Sequence, residues 1–190
     1  MTTHVLVVVK GLDVGGVERM VVDLATGLQR TGDEVAVAVI NPQRDALRPR
    51  LVEAGVTVHD LGGTDHLGRT AVTRLRHLID ELRPDVVHAH GPLAGVAATL
   101  AGRRTGLAVT IHSMWGRLRR PTRVALRVTL PPTAVVIAVS DLVRASLPRR
   151  LAERAVVIGH GIDPETCRTL IRPHDDRRGV DVVSVASHRR

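Results

Sequence analysis

The sequence has very few aromatic residues and almost no cysteine, and both shortages restrict what the protein can be. Of its 190 residues, one is tryptophan, one is cysteine, and none is phenylalanine or tyrosine. Because a single cysteine, Cys167, cannot form an internal disulfide, we expect a cytoplasmic protein. The hydrophobic core must be aliphatic, and the strands must be formed by β-branched residues.

Long hydrophobic runs are also missing. The apolar run at 5–9 is too short for the core of a signal peptide and has no basic flank before it. No later stretch approaches the roughly 18 apolar residues of a membrane-spanning helix. Any membrane contact is therefore expected to be peripheral.

The chain is basic, although it has only one lysine, Lys10. Its formal net charge is +8, and nearly all of its 27 basic residues are arginine. An excess of arginine favours anionic partners such as phosphates, acidic lipid surfaces or nucleic acid. An arginine-rich surface that only contacts solvent explains the charge equally well, so both interpretations stay open.

Short valine-rich runs alternate with helical patterns along the chain. The runs predict strands at 4–9, 34–40, 56–61, 85–90, 107–112, 134–139, 155–158 and 180–186. Apolar spacing predicts helices at 17–28, 72–82, 93–104 and 142–151, with Gly32 and Pro84 ending the first two. This alternation requires right-handed crossover connections. The predicted fold is α/β, a Rossmann-like, doubly wound parallel sheet.

The pattern changes near the C-terminal end. Residues 164–179 are polar and charged, and the apolar run 180–186 follows them. The chain is long enough for one sizeable core and too short for two ordinary domains. We therefore predict a Rossmann-like domain at 1–163, an interdomain linker at 164–179, and the start of a truncated second domain at 180–190.

Histidines cluster where ligands of such sheets bind, at the carboxyl ends of the strands. Five of the ten histidines lie at or near these ends: His66, His88, His90, His112 and His160. His112 could bond a sugar hydroxyl or change its charge near neutral pH, or it could be an ordinary strand-edge histidine. We expect His88 and His90 to alternate across their strand, so that only one faces the cleft. A metal site would need a third ligand in register with these histidines, and the sequence does not identify one.

A glycine-containing loop joins the first predicted strand to the first helix. Gly15 and Gly16 would let backbone N–H groups approach an anion at the positive end of the helix. The loop is not the G-x-G-x-x-G fingerprint of dinucleotide-binding proteins, which argues against a nucleotide-dependent reductase or epimerase. A tight strand-to-helix turn is the structural alternative.

Trp115 precedes a segment rich in arginine. Five arginines are interleaved with apolar residues: Arg117, Arg119, Arg120, Arg123 and Arg127. A basic amphipathic helix could lie on an anionic membrane or bind a lipid phosphate. The alternative is an ordinary surface helix that packs its apolar face on the sheet. Nucleic acid is a weaker partner because stacking aromatic residues are missing apart from Trp115.

Five motifs in order give the chain a family resemblance over almost its whole length. They are GGVER at 15–19, DVVHAH at 85–90, VTIH at 109–112, VIAVS at 136–140 and VIGHGID at 157–163. Together they resemble family 4 glycosyltransferases, which are retaining enzymes of the GT-B fold that use nucleotide-sugar donors. The sequence departs from the family at His160, where asparagine is usual.

The resemblance implies roles for individual residues. Gly15 and Gly16 would approach the donor diphosphate or the reacting sugar, and His112 would contact the transferred sugar and serve as the catalytic residue. His90, Ser140, Gly161, Trp115 and Arg117 would shape the cleft on the acceptor side. No metal or other cofactor is implied, and the acceptor would be a glycan, a lipid-linked molecule or a small molecule.

The resemblance covers only the N-terminal, acceptor-side half of such an enzyme. The C-terminal half, which binds the nucleotide sugar, is not among these residues, so we expect this chain alone to be inactive. A missing C-terminal domain or a partner subunit would complete it. The rival interpretation is a non-catalytic Rossmann-like module that binds an anionic glycan, a lipid phosphate or a protein.

Overall fold

The computed structural model describes residues 2–102 and 105–161, and residues 1–160 form one compact unit. Its strands are β1 (His4–Val9), β2 (Glu34–Val39), β3 (Thr57–Asp60), β4 (Val86–His90), β5 (Gly106–Ile111), β6 (Val135–Ala138) and β7 (Ala155–Val157). Its helices are α1 (Gly16–Arg30), α2 (Arg48–Glu53), α3 (Arg69–Leu82), α4 (Pro92–Ala101), α5 (Arg120–Thr129), α6 (Asp141–Ser146) and α7 (Arg149–Ala152).

The seven strands form one sheet in the order β3-β2-β1-β4-β5-β6-β7. Every neighbouring pair is parallel. The order reverses direction between β1 and β4, as in doubly wound folds, where ligands bind near the reversal. The predicted fold class is therefore confirmed, and seven of the eight predicted strands match observed ones within two residues at each end.

Local sequence explains where two of the helices end and where another predicted helix is interrupted. Gly32, with φ +95°, follows α1, and Arg83, with φ 47°, ends α3 directly before Pro84. The single helix predicted at 142–151 is wrong, because the chain forms α6 and α7 with Pro148 between them. A proline within a helix removes a backbone donor and clashes with the preceding turn. The short helix α2 was not predicted.

The two faces of the sheet carry different helices. Leu6 and Val8 of β1 belong to the buried cluster that includes residues of α3 to α7, whereas Val7 and Val9 belong to the cluster that includes residues of α1 and α2. This alternation along one strand follows from the two-residue period of β structure. All fully buried apolar side chains in the described part are aliphatic, as the composition requires.

Three sequence predictions lie beyond what the structure describes. The linker at 164–179, the truncated domain at 180–190 and the strand at 180–186 fall outside the described residues. Among the helices of residues 2–102 and 105–161, none has the length and apolarity needed to cross a membrane.

Candidate functional site at the carboxyl edge of the sheet

Three histidines meet at the carboxyl edge of the sheet. His90 ends β4, His112 follows β5, and His160 lies beyond β7. His90 Nδ1 is 3.3 Å from His112 Nε2, and His112 Nδ1 is 3.2 Å from His160 Nε2. Their ring centroids are 5.5 and 5.3 Å apart along this chain. We call His90, His112 and His160 the histidine cluster.

The expectation that His88 and His90 alternate across the strand is wrong. Their ring centroids lie 4.1 Å apart, because residues two apart in a strand point to the same face. His88 Nε2 lies 2.8 Å from Thr110 Oγ1 on the neighbouring strand β5. His88 therefore extends the histidine cluster along β4, away from the carboxyl end of the strand.

Burial keeps the imidazoles of His88, His90 and His112 neutral. Desolvation lowers the pKa of His88 and of His112 from 6.5 to about 4. It lowers the pKa of His90 to about 2, with charge repulsion from His88 and His112 as a further cause. His112 therefore carries no charge at neutral pH, which removes the expected charge change and leaves hydrogen bonding as its chemistry.

The buried end of the cluster orients its hydrogen bonds. His90 is 3% exposed, and its Nε2 has no hydrogen-bond partner within the described residues. Because a buried N–H without an acceptor is rarer than a buried acceptor without a donor, the arrangement favours His90 Nδ1–H as the donor to His112 Nε2. His112 then donates from Nδ1 to His160, and a ligand that takes over one of these bonds would meet a neutral imidazole of defined tautomer.

The glycine loop lies after β1, which neighbours β4 in the sheet. Gly15 has φ −153° and ψ 164°, an extended conformation that any residue can adopt. A Cβ on Gly15 would meet only the flexible carboxylate of Glu18, and one on Gly16 would meet nothing within 4 Å. Neither backbone angles nor packing demands glycine here, so the tight-turn explanation loses its main support.

A charged network fixes the loops beside Gly15 and Gly16. Asp65 accepts hydrogen bonds from Asn41 Nδ2 (3.1 Å) and an Arg44 guanidinium nitrogen (2.8 Å), and lies 3.2 Å from Lys10 Nζ. Arg44 also reaches Asp13, at 3.3 Å. These contacts join the loops that follow β1, β2 and β3. The sequence places Asp65 just after a predicted strand, where ligands bind, but it did not indicate a role for Asp65, although the nearby basic residues were available clues.

Asp65 should make the fold sensitive to acid. Bonds from Asn41 and then Lys10 lower its pKa from 3.8 to about 2. A lowered folded-state pKa adds stability above pH 4 that is lost as the pH falls toward 2. We expect Asp65→Asn to lower the urea midpoint above pH 4, with the difference from wild type shrinking near pH 2. Asp45 is an exposed carboxylate in the same region, and Asp45→Asn should leave the urea midpoint unchanged both above pH 4 and near pH 2. Equal effects of Asp65→Asn and Asp45→Asn would contradict this role of Asp65.

The other predicted site residues do not join the histidine cluster through hydrogen bonds. Ser140 Oγ accepts a bond from Val143 N and so caps α6. The backbone N–H of Trp115 donates to Ser146 Oγ, and the half-buried Trp115 side chain packs on the core. Arg117 ends a 3-10 turn at Trp115–Arg117, and both Arg117 and Gly161 are exposed.

Two further positions do not alter this picture. His66 is exposed and belongs to a local turn with Thr64.

A cavity of about 310 Å³ is lined by the first residues of β1, β2 and β3, which are His4, Glu34 and Thr57. That cavity lies at the amino ends of the strands, opposite the edge where ligands of such sheets bind. Within residues 2–102 and 105–161, no group of histidine, cysteine or acidic residues is arranged to hold a metal ion.

Solved structures share the fold. HepE from Anabaena, in complex with UDP and glucose, is 21% identical with a TM-score of 0.68; the alignment covers 86% of this chain and 46% of that one. A glycosyltransferase from Rickettsia africae is 19% identical (TM-score 0.70; 90% and 47% covered). A UDP-N-acetylglucosamine 2-epimerase is 16% identical (TM-score 0.58; 84% and 44% covered). The chain spans about half the length of these proteins.

The seven-stranded, Rossmann-like sheet is the fold of the N-terminal domain of GT-B glycosyltransferases. Because an epimerase shares this fold, the fold alone does not identify the family. The identification therefore rests on the sequence. The sequence profile of Glycosyltransferase Family 4 matches residues 14–166, which is more than half of the chain. The chain belongs to glycosyltransferase family 4. Curated protein sequences gave no match.

Proposed function

We propose that the chain supplies the acceptor-side half of a retaining glycosyltransferase whose donor is a nucleotide sugar. The observation that carries this proposal is the histidine cluster, with neutral His112 in its middle, at the carboxyl edge of the sheet. Family membership and the fold support it. HepE, a neighbour in fold, was solved with UDP and glucose, which supports a nucleotide-sugar donor here.

His112 is proposed to contact the transferred sugar near its reacting carbon. It is held on both ring nitrogens, by His90 and His160, so its ring plane is fixed before a sugar arrives. Fixed orientation of a contacting group lowers the entropic cost of reaching the transition state. A hydroxyl of the sugar would replace the bond to the exposed His160, since His90 lies buried on the other side.

Gly15 and Gly16 are proposed to approach the donor diphosphate. No side chain caps the start of α1, a 15-residue helix, so its first backbone N–H groups are open to a ligand. Free N–H groups at a helix start favour a phosphate. The open space above Gly16 leaves room for such a group.

The acceptor is proposed to be a glycan, a lipid-linked molecule or a small molecule, bound near His90, Ser140, Gly161, Trp115 and Arg117.

The enzyme would act in the cytoplasm, with peripheral contact at the inner face of the membrane. The net charge of +8 supports an anionic surface as neighbour. We propose that transfer needs no metal ion, so it should survive EDTA.

The chain alone is proposed to be inactive because it spans about half the length of its structural matches. The test compares the 190-residue chain with a version extended by its donor-binding half, using UDP- and GDP-sugars with EDTA present. We expect transfer with retained anomeric configuration in the extended version only. Specific glycan or protein binding without transfer in either version would instead favour the binding-module interpretation.

Gly16→Ala is expected to separate stability from activity. Alanine at this first helical position should keep or slightly raise the free energy of unfolding, by up to about 1 kcal/mol. Transfer by the extended enzyme should fall at least about tenfold if a diphosphate approaches this backbone. The measurements are urea unfolding and kcat/KM.

Gly27→Ala, inside the same helix and with equally open space, is the matched control. It should change neither activity nor KM. If Gly16→Ala also left kcat/KM unchanged, the donor phosphate would not lie against Gly16.

A further inference from the structure

The basic charge of the chain is concentrated in one stretch. Residues 86–140 contain seven arginines and no aspartate or glutamate, in a chain whose total net charge is +8. The arginines are Arg103, Arg104, Arg117, Arg119, Arg120, Arg123 and Arg127. The residues outside 86–140 are almost neutral overall, so nearly all of the net positive charge lies in this stretch. A surface on which arginines alternate with acidic residues would not concentrate the charge in this way.

Helix α5 lies in this stretch and turns apolar side chains outward. Leu126 is the one residue of the helix that is buried. Val124 is 62% exposed and Val128 is 77% exposed. At 100° per residue, both valines lie on the side of the helix opposite Leu126. The expectation of an ordinary helix packing its apolar face on the sheet therefore describes only Leu126 and its partly buried neighbours.

The arginines lie beside the outward valines. Arg120, Arg123 and Arg127 repeat at intervals of three and four, which places them along one flank of the helix. No ion pair joins them, Arg117 or Arg119 to an acidic residue in the part of the chain that the structure describes. Trp115 lies in the turn before α5, not in the helix itself. Unpaired cations beside exposed apolar side chains match the two layers of a lipid surface.

We propose that the outward face of α5, formed by Val124 and Val128 with Arg120, Arg123 and Arg127, docks on a membrane containing anionic phospholipid. The valines enter the boundary between headgroups and acyl chains, and the arginines bind lipid phosphates. Nucleic acid also attracts arginine, but it gives no place to two outward valines. This proposal rests on the peripheral membrane contact of the proposed function and assigns it a surface. The docking itself requires no sugar transfer, so vesicle binding and transfer activity succeed or fail separately.

The test is sedimentation of the 190-residue chain with vesicles. We expect binding to vesicles of phosphatidylglycerol mixed with phosphatidylcholine, weakened by salt, and little binding to phosphatidylcholine alone. R120Q/R123Q/R127Q should weaken binding by roughly two orders of magnitude. V124S/V128S should weaken it about tenfold, because it removes the apolar part of the contact.

Matched variants control for charge and exposed area. R30Q/R50Q/R150Q removes three exposed arginines outside residues 86–140, and V52S/L142S removes two exposed apolar side chains elsewhere. Both should bind vesicles nearly as wild type does. Equal losses in the control and test variants would overturn the proposal. So would duplex DNA binding as tight as vesicle binding together with unchanged vesicle binding by V124S/V128S, which would indicate a general polyanion surface.

Discussion

Replacing His112 with alanine is expected to lower kcat/KM of the extended, donor-binding enzyme by roughly 100-fold or more. The imidazole is neutral, because burial lowers its pKa to about 4, and His90 and His160 hold both of its nitrogens. A positioned group that bonds the reacting sugar contributes two or more orders of magnitude in rate. The measurement is steady-state transfer with saturating acceptor.

The pH profile provides a second readout of the same role. A pKa lowered to about 4 means that the active, neutral imidazole is present above pH 4 and is lost below it. The pH profile of transfer by the wild type should therefore have no inflection near pH 6.5 that is due to His112. His112→Ala should lower the rate without removing an inflection at that pH. His77→Ala, an exposed histidine on α3, should leave kcat/KM unchanged. A loss of less than about threefold in His112→Ala would contradict the proposed sugar contact.

His160→Ala distinguishes holding from contact at the same site. His160 is exposed and touches His112 from the side that a sugar would approach. Its loss removes one of two bonds that orient His112 but leaves the bond from His90. A smaller fall in kcat/KM than in His112→Ala is the consequence, since His112 would still be held from the buried side.

The strands and the sheet type were predictable because their cause is local. Valine-rich runs such as 4–9 and 34–40 predict buried parallel strands whatever surrounds them. The contact between His88 and His90 was equally available from the two-residue period, and the expectation of opposite faces misapplied that period. The break between α6 and α7 was also visible, at Pro148.

Other features depend on strand order and could not be derived from local pattern. His112 follows β5 and His160 follows β7, and they meet only because the loops after these strands converge at one edge of the sheet. Asp65 reaches Lys10 and Arg44 for the same reason, across the ends of three strands. Sequence motifs gave the candidate residues, while the tertiary fold decided which of them touch.

The orientation of α5 was also beyond sequence reasoning, because both of its sides carry apolar residues. Leu126 is fully buried, and a Cβ added to Gly95 of α4 would lie 3.0 Å from Leu126 Cδ1. This closeness shows that Leu126 packs directly over the backbone of α4, which a larger residue at Gly95 would prevent. One leucine thus anchors the helix and leaves Val124 and Val128 outside.

Leu126→Ala should therefore lower the free energy of unfolding by about 2–5 kcal/mol, through lost burial and a cavity between α4 and α5. Val124→Ala and Val128→Ala should each change it by no more than about 0.5 kcal/mol, because exposed side chains contribute little to folding. Urea unfolding of the three variants measures the difference. If Val124→Ala cost as much as Leu126→Ala, the valine would be part of the core, and the helix could not present the face that we assign to anionic lipid.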